Sequence, residues 1–195
     1  AVFQTNPLVP SAISLVWFSQ KINNLNTHTF KWAVDWSVNF DNSGMLQAGI
    51  EWTSTGQPVN LNPNVVGGKN LVPLTYNGDF ELGTASNVPD EKLGSFQVIS
   101  DKTYTNTDAK KLSISAYMNG TPALAIECPP DTDIQFSTHP TYYVARINSV
   151  IGSQISASAI TGATKIVFED GVTDLSFTLN DTNTFIPTAL AAVTA

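Results

Sequence analysis

Residues Phe30 to Phe40 read Phe-Lys-Trp-Ala-Val-Asp-Trp-Ser-Val-Asn-Phe. Phe30, Trp32, Val34, Trp36, Val38 and Phe40 fall on one side of this alternation, and Lys31, Ala33, Asp35, Ser37 and Asn39 on the other. Successive side chains of a strand point to opposite faces, so the stretch predicts a long β-strand over 29–40 with an aromatic inner surface. A protein built around it is a sheet protein with a core of large rings.

Working outward, Ala12 to Lys21 reads as a preceding strand carrying Trp17 and Phe18. Asp41-Asn42-Ser43-Gly44 is a turn leading into Leu46 to Thr53. With Met45 in the loop, Phe40 faces Leu46, Val38 faces Ala48, Trp36 faces Ile50 and Val34 faces Trp52. A slip of one residue would break that apolar match, so the five-residue loop is expected. Residues 54–70 read as a long irregular loop. Further strands are predicted at 71–76, 94–100, 111–118, 121–127, 134–137, 141–149, 154–160, 164–169 and 173–179. Asn119-Gly120 sets a tight type I′ hairpin between two of them, because both residues tolerate positive φ. Asp170-Gly171 is the expected turn of the last pair. Residues 1–11, with Pro7 and Pro10, read as an extended arm, and 185–195 as a small apolar tail in which Pro187 could start a short helix. Many short strands between turn signals predict one all-β domain over 1–195, an antiparallel two-sheet β-sandwich of immunoglobulin-like type, with a closed β-barrel as the alternative.

Composition excludes several functions. Charged residues are 13% of the chain, against roughly 25% in an ordinary protein. Net charge is −7, Arg146 is the sole arginine, and Lys110-Lys111 is the only adjacent basic pair, so nucleic-acid binding and docking on anionic membranes are not expected. No apolar run approaches the ~20 residues of a membrane span. Cys128 is alone, which rules out an intrachain disulfide and fits a reducing, cytoplasmic setting, with secretion after removal of a leader as the alternative. Exposed apolar termini point to a homodimer.

Catalytic signatures are missing. His28 and His139 lie far apart in sequence, both at natural turn or strand-edge places, and no serine sits in a Gly-x-Ser-x-Gly elbow. Cys128 reads as a buried small hydrophobe. Acidic pairs such as Asp79-x-Glu81 and Asp131-x-Asp133 lack the full calcium-loop pattern, so no metal is expected. Gly67-Gly68 is too little for a phosphate loop. The protein therefore reads as a non-enzymatic one.

The aromatic residues are the more informative set. Trp17, Trp32, Trp36 and Trp52 lie on strands expected to be neighbours, and adjacent Tyr142 and Tyr143 should point one to the core and one to solvent. A sandwich core accounts for the rings structurally. The functional reading is an aromatic-lined site for a small apolar or aromatic organic molecule, with Met118 and Arg146 as companions. A sugar-binding or protein-interaction module is the alternative, with the outward tyrosine as its test residue. A membrane-active cytolysin would need the tryptophans exposed, which the alternation argues against.

The Trp-rich stretch 30–40, the Asn/Ser/Thr-rich loops and the lone Cys128 together resemble the small acidic β-rich proteins of fungal fruiting bodies, a group that includes lectins, cytolysins and a pink mushroom chromoprotein. The chromoprotein likeness implies a small organic pigment held in a β-sandwich. It assigns no residue.

Overall fold

The computed structural model describes residues 1–22, 27–44, 46–89, 93–168 and 174–188. In chain order the strands are β1 (Val2–Thr5), β2 (Ile13–Ser14), β3 (Trp36–Asp41), β4 (Val59–Leu61), β5 (Leu71–Tyr76), β6 (Phe80–Leu82) and β7 (Ser95–Ser100). They continue with β8 (Ser113–Met118), β9 (Thr121–Glu127), β10 (Asp133–Ser137), β11 (Thr141–Val144), β12 (Thr164–Ile166), β13 (Ser176–Leu179) and β14 (Phe185–Thr188). A 3-10 turn covers Asp108–Lys111 and one short helix, α1, covers Ala157–Thr161. No helix among the described residues is long and apolar enough to cross a membrane.

Two sheets form the sandwich. A five-stranded sheet runs β2-β9-β8-β3-β4 with antiparallel neighbours, and a four-stranded sheet runs β10-β7-β5-β6. In the second, β5 and β7 are parallel, a departure from the all-antiparallel expectation, because the intervening β6 folds back on the far edge of β5. The inner faces meet through rings: Trp36 lies 5.5 Å from Phe96, and Phe40 6.5 Å from Phe80. A three-stranded sheet β1-β11-β12 extends the same core, and β13-β14 form a separate hairpin. No sheet among the described residues closes into a barrel.

The opening stretch behaves as a strand only from Trp36 onward. There β3 has a partner on each edge, with Trp36 opposite Met118 on β8 and Leu61 on β4. Ahead of Trp36 both partners have run out: β8 turns at Asn119-Gly120, and β4 ends at Leu61. Residues 27–35 thus form a strap outside the strands, anchored where Ala33 N–H donates to Asn119 Oδ1 and Asn119 N–H donates to the Asp35 carbonyl (3.2 Å) and to Asp35 Oδ1 (2.7 Å). Alternation survives at Phe30 and Trp32, which are half-buried, and fails at Val34, which is 54% exposed.

The expected pairing of 40–34 with 46–52 does not form, since both edges of β3 are taken. Instead residues after 46 cross the outer face of the five-stranded sheet. Trp52 Nε1 donates to Ser113 Oγ (2.8 Å), Asn39 Nδ2 donates to the Gly56 carbonyl (2.7 Å), and Trp52 packs on Tyr117. The polar side of the alternation is consequently buried too: Ser37, Asn39 and Asp41 are covered by chain rather than by water.

The Asn119-Gly120 turn forms as predicted, with φ of 53° and 69°. Left-handed backbone disfavours a residue with a Cβ, and asparagine tolerates it best after glycine. Asn119→Ala should therefore cost about 1 kcal/mol, with Asn119→Gly closer to neutral, read as shifts of the urea midpoint. Equal losses in both variants would instead put the cost on the Ala33 anchor.

Other segments differ from expectation for identifiable reasons. Residues 1–11 do not stand off as an arm, because Val2–Thr5 pairs with Val144–Thr141 and is buried. The predicted strand 12–21 is a short crossing segment: Ile13 and Ser14 pair with β9, Val16 N–H reaches Ser153 and Trp17 N–H reaches Val2. At 154–160 the expected strand yields to α1, whose first turn is capped by Ser156 Oγ accepting from Ala159 N–H. Strands at 164–166 and 176–179 do not pair with each other; β12 joins β11 and β13 joins β14. Pro187 therefore sits in an edge strand, where its missing N–H is tolerated, rather than starting a helix. The Asp170-Gly171 turn and the tail beyond 188 lie outside the described residues.

Candidate functional site

Six rings from four parts of the chain meet at one end of the core. Trp17, fully buried, contacts Phe18 (4.3 Å between centroids), Trp32 (5.2 Å, edge-on) and Tyr142 (6.0 Å, stacked). Trp32 also meets Tyr142 at 5.7 Å and Phe168 at 5.9 Å, and Phe30 closes on Phe18 at 5.5 Å. Trp17 is fixed from below, its Nε1 donating to the Met118 carbonyl at 2.8 Å, and the Tyr142 hydroxyl points at Met118 Sδ at 3.7 Å. Burial pushes the Tyr142 hydroxyl pKa up, against an opposing contribution from Trp32. The other five rings are only half-buried, so the cluster presents an open aromatic face.

Of the residues singled out from sequence, Trp17, Trp32, Met118 and Tyr142 come together here. Trp36 neighbours them across the ladder from Met118 but points into the sandwich against Phe96. Trp52 is on the opposite side of the sheet, in a cluster with Leu15, Tyr117 and Ala125. Tyr143 does leave the core face, yet it stacks on Phe3 at 5.5 Å in a second apolar cluster instead of facing solvent freely. Arg146 is exposed and donates to Asn183 Oδ1 at 2.7 Å. Sequence reasoning did not enlist Phe18, Phe30 or Phe168. Phe30 shares the alternation that flagged Trp32, whereas nothing local marks Phe168, whose contact arises from the β11–β12 pairing nearby.

Surface grooves lie elsewhere: one of about 320 Å³ between Pro63, Val66, Asn87 and Leu93, another of about 270 Å³ beside Ala48, Ile147 and Ala159.

With that geometry in hand, comparison with known proteins gives one match: the family profile RhiA covers residues 1–188. The chain belongs to the RhiA family. No curated protein and no solved structure matches it significantly. The match covers all of the described strands, so the ring cluster lies wholly within the RhiA region.

Elsewhere in this RhiA chain the chemistry is quiet. No three His, Cys, Asp or Glu among the described residues are grouped to hold a metal ion. His28 sits edge-on to Phe30 at 4.8 Å, and the His139 backbone N–H donates to Ser137 Oγ. Cys128 is buried beside Tyr104, whose hydroxyl lies 3.7 Å from its sulfur. Burial pushes the Cys128 thiol up to about 11 and the Tyr104 hydroxyl up as well. Both groups are held neutral in the fold and ionise more easily once unfolded. The Cys128 contribution to stability is thus complete below the ordinary thiol value and is lost as pH rises through 9 toward about 11. The urea midpoint should fall over that interval, and the fall should be shallower in Cys128→Ala.

Proposed function

We propose that the protein is a non-enzymatic binding protein that takes up a small, planar, apolar or aromatic organic molecule on the ring cluster around Trp32. One observation carries this reading: Phe18, Phe30, Trp32, Tyr142 and Phe168 keep part of their surface open while touching one another, whereas core rings such as Phe96 and Phe136 are fully buried. An open stack of flat rings favours another flat ring, which gains dispersion and quadrupole contacts from it. A pigment, as the chromoprotein resemblance implies, is one such molecule.

A sugar site is the weaker reading. It needs a ring flanked by free polar groups, but the Tyr142 hydroxyl faces sulfur and Tyr143 lies against Phe3. Self-association through β13–β14, where Leu179 and Ile186 are exposed, belongs to the same proposal and is read from mass against concentration.

The test is the ultraviolet–visible spectrum of protein from its native source, with intact mass under native and denaturing conditions, followed by Trp-fluorescence titration of recombinant protein with naphthalene. Absorbance beyond the Trp and Tyr bands, or saturable quenching that Trp32→Ala weakens at least tenfold, is the expected result. A clear spectrum together with unsaturable quenching would sink the proposal.

A further inference from the structure

Gln4 is fully buried, and neither its Oε1 nor its Nε2 has a hydrogen-bond partner. Its position connects it to the ring cluster. On β1 it lies directly opposite Tyr142, which is in turn opposite Ile166 on β12. Directly opposed residues of an antiparallel pair share a face. Val2 and Val144, the next pair in this alternation, belong to the main core, while Phe3 and Tyr143 stack on the other side. The Gln4 carboxamide is therefore on the core face beside the Tyr142 ring, and Trp17 is held nearby through its N–H bond to the Val2 carbonyl.

A primary amide offers two N–H donors and a carbonyl with two lone pairs. Burying both ends unpaired is costly, and an apolar residue of the same shape would be more stable in a site that never receives a partner. Such a group at the foot of an aromatic cluster has the form of a recognition element: many apolar contacts, and a few polar ones that fix orientation.

Resting on the binding function proposed above, we infer that Gln4 reads the edge of the bound molecule, which is a neutral planar ring carrying adjacent hydrogen-bond donor and acceptor atoms, as a lactam does. The amide N–H and C=O of glutamine match the C=O and N–H of a lactam edge in pairs. The ligand is neutral because the six rings, Met118 and Gln4 bring no charge; Lys31 and Asp35 on the strap are exposed. Access comes through the Trp32 side. The strap 27–35 belongs to none of the strands, so Trp32 can shift off the faces of Trp17 and Tyr142 and close over a ring that enters between them.

The experiment compares two probes of equal shape, isoquinolone (a lactam) and naphthalene, titrated by Trp fluorescence against wild type and Gln4→Leu. Wild type should bind isoquinolone at least about tenfold more tightly, the equivalent of one well-made buried hydrogen bond or more. Gln4→Leu should abolish that preference, keep naphthalene binding, and melt at the same or a higher temperature. Gln4→Met gives the same readout if leucine disturbs packing. Equal binding of both probes to wild type overturns the role of Gln4 and leaves the aromatic site standing. A preference that persists in both variants also overturns it, and assigns the buried amide to an internal water. Binding of neither probe removes the aromatic site, and this inference with it.

Discussion

Trp17→Ala should lower the unfolding free energy by about 4 kcal/mol, the range expected for emptying a fully buried indole site. The site cannot collapse to compensate, because the side chain stands between three other rings and is tied at Nε1 to the Met118 carbonyl. Small domains have about 5–15 kcal/mol in all, so this one change takes the protein near its threshold. Trp17→Phe separates the two parts of the loss: it keeps most of the apolar surface and leaves the carbonyl without its indole donor, at a cost of about 1–3 kcal/mol. Chemical denaturation followed by far-ultraviolet circular dichroism measures both. A loss below about 1 kcal/mol for alanine would mean that the cluster relaxes freely, against the packing density expected of a core. It would also remove the rigid backing that the open face around Trp32 requires.

Gly68→Ala should be nearly as damaging, by about 3 kcal/mol, the upper part of the range for overpacking. A Cβ there would sit 2.1 Å from the Asn62 carbonyl oxygen and 2.7 Å from that of Val65. Both are backbone atoms, so no side chain can swing aside. The same glycine donates its N–H to Val65 and accepts from Asn87 Nδ2, and it thereby clips the loop before β5 to the segment that follows β6. Gly67 next door is the control. Its φ is +73° and nothing lies within 4 Å, so Gly67→Ala carries only the left-handed backbone penalty of about 1 kcal/mol. Thermal melts of the pair should differ clearly. A Gly68→Ala protein as stable as Gly67→Ala falsifies the close approach.

The contrast between those neighbours illustrates what could be read from residues alone. Gly67-Gly68 identified a loop, but which glycine was needed depended on Asn62 folding back over it. The two hairpin strands around Asn119-Gly120, and β5, β7 and β10, were legible almost to the residue, because local alternation and turn chemistry agree there. Alternation at 30–40 identified the buried face correctly from Trp36 onward and overran at 29–35, since a pattern of side chains says nothing of whether a neighbouring strand exists to bond the backbone. Residues 46–53 misled for a related reason: an apolar match with β3 was real, but both edges of β3 were already occupied by chain from distant positions. In the ring cluster, four of the eight residues chosen from sequence meet. Trp36 turns into the sandwich against Phe96, and Trp52, Tyr143 and Arg146 are elsewhere, because periodicity assigns a face within one strand but cannot tell which of several apolar layers covers that face. Gln4 left no trace in the sequence; its interest arises only from burial without a partner.

The first strand has a consequence in time. Val2 to Thr5 find their partners at Thr141 to Val144, and Trp17 finds the acceptor for its indole at Met118. A ribosome adding about 5–20 residues per second leaves β1 waiting on the order of ten seconds before its partner has been made. During that interval Val2 and Phe3, buried in the finished protein, lack their partners on β11 and have only the nearby segment around Val16 to Phe18 to pack on. The aromatic face is thus assembled from segments made far apart in time, and anything that holds β1 in another pairing delays the site together with the fold.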